Sequence, residues 1–92
     1  MARVLVSPFA ADDLERMIAT HSLPAHTQAR VRRSLHSLER FPLLGVSLGG
    51  RWSGYRFILG PWRWMLIVSA YDEEADLVLV ATMQDGRTAA WS

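Results

Sequence analysis

Three arginines, Arg56, Arg63 and Arg87, are the residues of this chain best suited to chemistry at a phosphate. A guanidinium group stays protonated and presents a planar fork of donors that matches phosphate oxygens. It stabilises negative charge that develops in a transition state, but it does not serve as an ordinary general acid or base. These three arginines are therefore the candidate catalytic residues, acting on an anionic substrate.

Four more residues near these arginines are candidates for substrate binding: Arg51, Trp52, Asp85 and Trp91. An exposed indole can stack on a nucleobase or anchor a partner peptide. Packing of the tail onto the sheet is an equally good interpretation for Trp91. Asp85 is the nearest carboxylate in sequence, and an ion pair with Arg87 or Arg63 is favoured over a role in proton transfer.

The histidines and the absence of cysteine leave no candidate metal site in the sequence. His21, His26 and His36 lack the spacing of metal ligands, and the chain has no cysteine. All three histidines lie in the predicted helical hairpin, so we interpret them as surface residues away from the arginines. A histidine-based ribonuclease mechanism therefore has no candidate, and no cofactor is expected.

Residues 49–68 are predicted to form a hairpin that turns at Gly60 and Pro61. Alternate residues of a strand point to opposite faces, and residues paired across a hairpin share a face. With an even-numbered loop, Arg56 and Arg63 lie on one face, whereas an odd-numbered loop separates them. The other face is uncharged and is the predicted core face; it holds Tyr55, Phe57, Leu59, Trp62, Trp64, Leu66 and Val68.

The rest of the chain predicts an α+β domain. Residues 3–7 form a strand, and Ser7 and Pro8 begin a helix with an apolar stripe. A second helix runs from Pro24 to Pro42, residues 43–50 form a glycine-rich loop, and residues 77–83 form a central strand. We expect a single domain over residues 1–92, in the order β-α-α-β-β-β, with an antiparallel helical hairpin on one face of a mostly antiparallel four-stranded sheet.

Composition narrows the function classes. All ten basic residues other than histidine are arginine, and the formal net charge is only +1. That charge argues against indiscriminate nucleic-acid binding but allows a small, focused basic patch. No apolar segment has the length of a membrane span, and the N-terminus lacks a signal-peptide pattern. Without cysteine, the chain is expected to be cytoplasmic and to have no membrane partner.

In order and spacing, the motifs resemble the RelE/ParE superfamily of toxins from bacterial type II toxin–antitoxin modules. The most specific motif is the turn Gly60-Pro61-Trp62-Arg63, in which a glycine, an aromatic residue and an arginine open an apolar strand. The other motifs are a strand ending in Ser-Pro, a helix beginning AADDLERM, a helix closing in FP, a glycine loop, and a strand ending in MQDGR.

The resemblance implies a toxin that inhibits bacterial growth and is neutralised by a cognate antitoxin protein, with which it can form a higher-order complex. RelE-like members cut messenger RNA on the ribosome, whereas ParE-like members share the fold and inhibit DNA gyrase without catalysis. Both readings stay open, and a degenerate member that only binds its antitoxin is a third.

The individual residues give a mixed match to the nuclease branch. Arg63 matches the arginine that contacts the scissile phosphate, and Arg56 replaces a lysine of the preceding strand. Ile58 replaces a second lysine. Arg87 lies near arginines that follow the last strand, whereas Asp85 stands where a basic residue would help. Trp91 falls near a catalytic tyrosine but has no hydroxyl group.

Overall fold

The computed structural model describes residues 1–87. Its two helices and five strands form the predicted α+β architecture. The sheet order is β1-β5-β4-β3-β2, and every pairing is antiparallel except the parallel pair β1–β5. The elements are β1 (Arg3–Val6), α1 (Pro8–Thr20), α2 (Thr27–Arg40), β2 (Val46–Ser47), a short 3-10 helix (Gly50–Trp52), β3 (Arg56–Leu59), β4 (Met65–Asp72) and β5 (Leu77–Asp85).

The start of α1 follows the sequence prediction. Ser7 is the N-cap, and its Oγ accepts a hydrogen bond from the backbone N of Ala10 at 3.1 Å. The same hydroxyl donates to the carbonyl of Ala81 in β5 at 2.8 Å. Pro8 occupies the first helical turn, where its missing N–H costs nothing. The cap therefore both begins the helix and fastens it to the sheet.

The second helix begins at Thr27, three residues later than predicted. The carbonyl of Pro24 accepts hydrogen bonds from the backbone N of Thr27 at 3.0 Å and from its hydroxyl at 2.7 Å. These bonds make a separate turn before the helix. Val31, Leu35 and Leu38 form the expected buried stripe.

The sheet has five strands rather than the expected four. Residues Val46 and Ser47, predicted as loop, pair with Phe57 and Arg56 at the edge of the sheet. A strand of only two residues leaves almost no alternating pattern to read in the sequence. The last strand also continues to Asp85, two residues beyond the prediction, because Gln84 and Asp85 pair with Leu66 and Met65 of β4.

The hairpin between β3 and β4 has an even-numbered loop, which is one of the two alternatives that the sequence left open. Arg56 pairs with Ser69, and the backbone N of Gly60 donates to the carbonyl of Met65 at 2.9 Å. Residues 61–64 form the connection. This turn is called the β3–β4 turn below.

The predicted core face of this hairpin is wrong. Met65 and Ile67 are fully buried in the core cluster, and Ile58 packs against it. The helices therefore cover the face that carries Arg56, not the uncharged face. The error arises because β4 is buried on both faces, so that apolar side chains do not distinguish them. Trp62 and Trp64, which we predicted to be core residues, do pack against the cluster.

Helix α1 follows β5 toward the C-terminal end of that strand. Ser7 contacts Ala81, and Asp13 accepts hydrogen bonds from the Thr82 hydroxyl at 2.5 Å and the Met83 backbone N at 3.1 Å. At its far end the helix brings His21 close to Asp85. The end of α1 and the end of β5 therefore meet beside the β3–β4 turn.

Candidate functional site

The β3–β4 turn presents one arginine to solvent between two half-buried tryptophans. Trp62 and Trp64 pack against the core, whereas Arg63 is exposed. The backbone N of Met65 donates to the carbonyl of Trp62 at 3.0 Å, which closes the turn. Because its neighbours on both sides are held by the core, Arg63 stands on a fixed support.

Arg63 and Arg87 meet at one shallow depression, as the sequence prediction requires of two catalytic candidates. The lining residues, which we call the turn site, are Arg63, Trp64, Leu66, Gly86 and Arg87. The backbone N of Gly86 donates to the carbonyl of Trp64, so the end of β5 is fastened to the turn.

Asp85 binds Arg87 with both carboxylate oxygens. Its Oδ1 accepts from the Arg87 backbone N at 2.9 Å and from Nε at 3.0 Å, and its Oδ2 accepts from Nη2 at 2.8 Å. The side-chain hydrogen bond from Arg87 is the main cause that lowers the pKa of Asp85 from 3.8 to about 2. The predicted ion pair is present, and it makes this carboxylate a weak base.

His21 is exposed, as predicted, but it does not lie away from the site. Its Nε2 lies 3.4 Å from Oδ2 of Asp85. Its ring centroid is 4.8 Å from that of Trp64, with the two planes tilted by 53°. The Arg87 guanidinium also contacts this tryptophan, and its carbon lies 4.7 Å from the centre of the Trp64 ring. His21, Trp64, Asp85 and Arg87 therefore form one contact cluster.

No sequence pattern links His21 to this cluster. It follows the last residue of α1, and 64 positions separate it from Asp85. The link comes from the path of α1 along β5, which depends on the contacts of Ser7 and Asp13 with that strand. The sequence shows that Ser7 caps a helix, but not which strand that helix follows.

Arg56 does not join the turn site. It begins β3, four residues before Gly60, which places its Cα about 13 Å along the strand from the turn. Its Nη1 instead donates to the carbonyl of Gly45 at 3.3 Å. The even-numbered loop does not bring the two arginines together, because Arg63 lies in the connection between the strands and the helices cover the face that carries Arg56.

The other predicted binding residues also lie apart from the turn site. Arg51 and Trp52 belong to the 3-10 helix, and the Trp52 ring meets Tyr55 edge-on at 5.6 Å between centroids. Trp91 lies outside the described residues. Of the seven residues chosen from the sequence, Arg63, Arg87 and Asp85 are therefore the ones gathered at the β3–β4 turn.

The charges of the turn site leave Arg63 as its uncommitted cation. Asp85 compensates Arg87, whereas Arg63 forms no ion pair within residues 1–87. In the same part of the chain, no group of three or more histidine, aspartate or glutamate side chains is arranged to hold a metal ion. The site can therefore bind one anionic group through Arg63, beside the Trp64 and Arg87 side chains.

Comparisons with known proteins agree with the architecture. A chain of the crystal structure of the toxin–antitoxin complex RelBE2 from Mycobacterium tuberculosis has the same fold, with a TM-score of 0.70. The match covers 91% of this chain and 96% of that chain, at 22% sequence identity. No family model and no curated protein matches the sequence. The RelE/ParE-like α+β fold expected from the motifs is thereby confirmed.

One further finding concerns the helices. Neither α1 nor α2, the helices of the described residues 1–87, combines the length and the apolar character that crossing a membrane requires.

Proposed function

We propose that this chain is the toxin component of a type II toxin–antitoxin module and that a cognate antitoxin protein neutralises it. The observation that carries the proposal is the fold shared, over 91% of the chain, with a chain of a toxin–antitoxin complex. The motif around Gly60 and Arg63 supports it independently, since the sequence alone led to the same superfamily. The targets considered below, the ribosome and DNA gyrase, are cytoplasmic, so we expect the protein to act in the cytoplasm.

For its action, we favour cleavage of messenger RNA on the ribosome. In this reaction the 2′-oxygen of a nucleotide attacks the adjacent phosphorus, and the bond to the 5′-oxygen of the next nucleotide breaks. Negative charge accumulates on the phosphate oxygens during the attack, and a nearby guanidinium stabilises it. Arg63 is suited to this role because it is exposed and forms no ion pair within the described part of the chain.

Proton transfer in this reaction has no strong candidate in Asp85, the carboxylate that contacts Arg87 of the turn site. Asp85 is a poor base because Arg87 lowers its pKa to about 2. His21 is the nearest imidazole, although its ring contacts Asp85 and Trp64 rather than lining the depression. We therefore assign stabilisation of the phosphate charge to Arg63. Ribosomal groups or the RNA itself would exchange the protons.

Inhibition of DNA gyrase without catalysis is the second candidate. The observation that favours it is the compensation of Arg87 by Asp85, which leaves the turn site with less positive charge than its two arginines would supply if both were uncompensated. A member that binds its antitoxin without toxicity is the remaining alternative, and it predicts no effect on growth.

Controlled expression in a bacterial host separates these readings. The proposal predicts growth arrest that is relieved when the adjacent antitoxin gene is expressed as well. Cleaved messages and rapid loss of translation support the nuclease, whereas intact messages with DNA-damage signalling exclude it in favour of gyrase inhibition. Unchanged growth in the absence of antitoxin contradicts a toxin of either kind.

A further inference from the structure

A second depression lies on the helix side of the β3–β4 turn. Its lining residues are Arg30, Arg33, Ser34 and Pro61. We propose that it binds a phosphate of a single-stranded nucleic-acid backbone, apart from the turn site that contains Arg63. The choice of nucleic acid as the partner rests on the proposed function, whereas the anion site itself rests on the contacts below.

The spacing on α2 brings the polar groups together. Residues three and four positions apart lie on the same face of a helix, and Arg30, Arg33 and Ser34 have that spacing. Pro61 closes the depression from the hairpin. The two arginine forks suit a phosphate, which offers several acceptor oxygens in a tetrahedral arrangement, whereas the Ser34 hydroxyl donates to the carbonyl of Arg30 at 3.3 Å.

The charge of this depression is uncompensated by the protein. None of its four lining residues is acidic, and neither arginine forms an ion pair within residues 1–87. Like charges three or four residues apart on a helix repel each other, which slightly destabilises the free protein. An anion bound between the two guanidinium groups removes that repulsion.

Arg30 is already held in place before any ligand binds. Its guanidinium carbon lies 4.7 Å from the centre of the Trp62 ring, and the side chain is partly buried. A cation fixed on an aromatic face loses less conformational freedom when it binds a ligand than a mobile one does. The depression therefore combines one pre-positioned arginine with one exposed arginine, Arg33.

The two depressions lie on either side of the same turn. Pro61 lines the depression on the helix side, and Arg63, two residues later, lines the turn site. Trp62 and Trp64 connect them, with their ring centroids 6.3 Å apart. A nucleic-acid strand presents an anion at every nucleotide and can occupy both depressions at once, which favours it over an acidic protein segment.

Binding of a non-cleavable RNA tests the proposal directly. Fluorescence anisotropy with a labelled 2′-O-methyl oligonucleotide is measured over a series of salt concentrations on the full chain. Replacing both arginines (Arg30→Gln with Arg33→Gln) is expected to weaken binding about tenfold at low salt. The slope of the logarithm of affinity against the logarithm of salt should fall by about 0.7 for each phosphate that the variant no longer binds.

The control matched to the single variant Arg33→Gln is Arg32→Gln, which also removes one positive charge from the exposed part of the same helix. Arg32 lines a different cleft, between the helices, and its replacement should leave affinity and slope close to those of the unmodified chain. The single variant Arg33→Gln guards against misfolding because the Arg33 side chain is exposed, and the contact between Arg30 and Trp62 is kept. It should show about half of the decrease in slope.

Two results overturn the proposal. One is an equal decrease in affinity for Arg32→Gln and Arg33→Gln, each of which removes one charge, because only total charge would then matter. The other is unchanged RNA binding by the double variant; if that variant also binds polyglutamate more weakly, the surface is assigned to an acidic protein. Neither result depends on growth arrest, so the toxin proposal fails or survives separately.

Discussion

The two ends of the β3–β4 hairpin each carry an arginine, and the two arginines have different environments. At the open end, Arg56 donates to the carbonyl of Gly45 and helps to hold the edge strand β2. At the turn end, Arg63 is exposed and forms no ion pair within residues 1–87. The sequence presents the pair as equivalent, yet one contributes to structure and the other is available to a ligand.

This difference shows that the contacts around a basic residue indicate its role better than its residue type or the face of the hairpin to which it is assigned. Arg87 supports the same lesson within the turn end. It lies in the turn site, but Asp85 accepts three of its hydrogen bonds and compensates its charge. Arg63 is therefore the arginine whose removal should matter most for the proposed action.

The largest expected effect is the loss of toxicity in Arg63→Gln. The substitution removes the uncommitted cation of the turn site, and growth under controlled expression should return to that of cells with an empty vector. The control Arg56→Gln, at the other end of the hairpin, should still arrest growth. Full toxicity in Arg63→Gln, with arrest abolished in Arg56→Gln, would reverse the roles assigned to the two ends.

The next largest effect is a decrease in stability at the open end in Gly45→Ala. Gly45 has a φ of +110°, and an added Cβ would lie 2.3 Å from the carbonyl oxygen of Phe57. Because the backbone itself must move, we expect the free energy of unfolding to fall by about 3 kcal/mol. Urea denaturation followed by circular dichroism measures it, and a change below about 0.5 kcal/mol would show that β2 is not held as described.

The corresponding glycine at the turn end should be more tolerant. In Gly86→Ala the added Cβ would lie 3.2 Å from Cγ of Leu66, a side chain that can shift, and 3.3 Å from the carbonyl oxygen of Trp64. We expect the free energy of unfolding to fall by about 1 kcal/mol or less, measured by the same denaturation. A decrease as large as that of Gly45→Ala would mean that the turn end is packed as rigidly as the open end.

The smallest effect is the acid dependence that Asp85 gives to the turn end. Because its pKa is lower in the folded chain than the ordinary 3.8, its ionised form stabilises the fold above that value. This contribution disappears as the pH falls toward about 2. The free energy of unfolding of Asp85→Asn should therefore decrease less steeply over this range. Parallel pH profiles for the variant and the unmodified chain would contradict the Arg87–Asp85 pair.

Local sequence signals predicted most of the fold. The cap at Ser7 and the stripe Val31, Leu35 and Leu38 depend on near neighbours in the chain, so the sequence contains them. Whether the hairpin loop is even- or odd-numbered was left open by the sequence. The two-residue strand β2 and the face of β4 that meets the helices depend on tertiary contacts. An apolar strand buried on both faces carries no mark of which face the helices cover.

The candidate site could be predicted only in part, because the sequence shows relations between near neighbours but not tertiary contacts. Arg63 and the Arg87–Asp85 pair follow from residues close to one another in sequence or from the family motif. His21 reaches the cluster through the path of α1, and Arg56 is excluded from it by distance along β3. Arg30 meets Trp62 only because α2 packs beside the turn. None of these three relations is expressed in a local pattern.

The central claim is that the ligand binds at the turn end of the hairpin and not at the open end. The most direct test of this claim is an NMR titration of the arginine Nε–H resonances. The unmodified chain is titrated with the non-cleavable RNA, and each resonance is assigned by substitution. The account predicts that Arg63, Arg30 and Arg33 shift while Arg56 does not. Shifts confined to Arg56, or equal shifts at both ends of the hairpin, would contradict it.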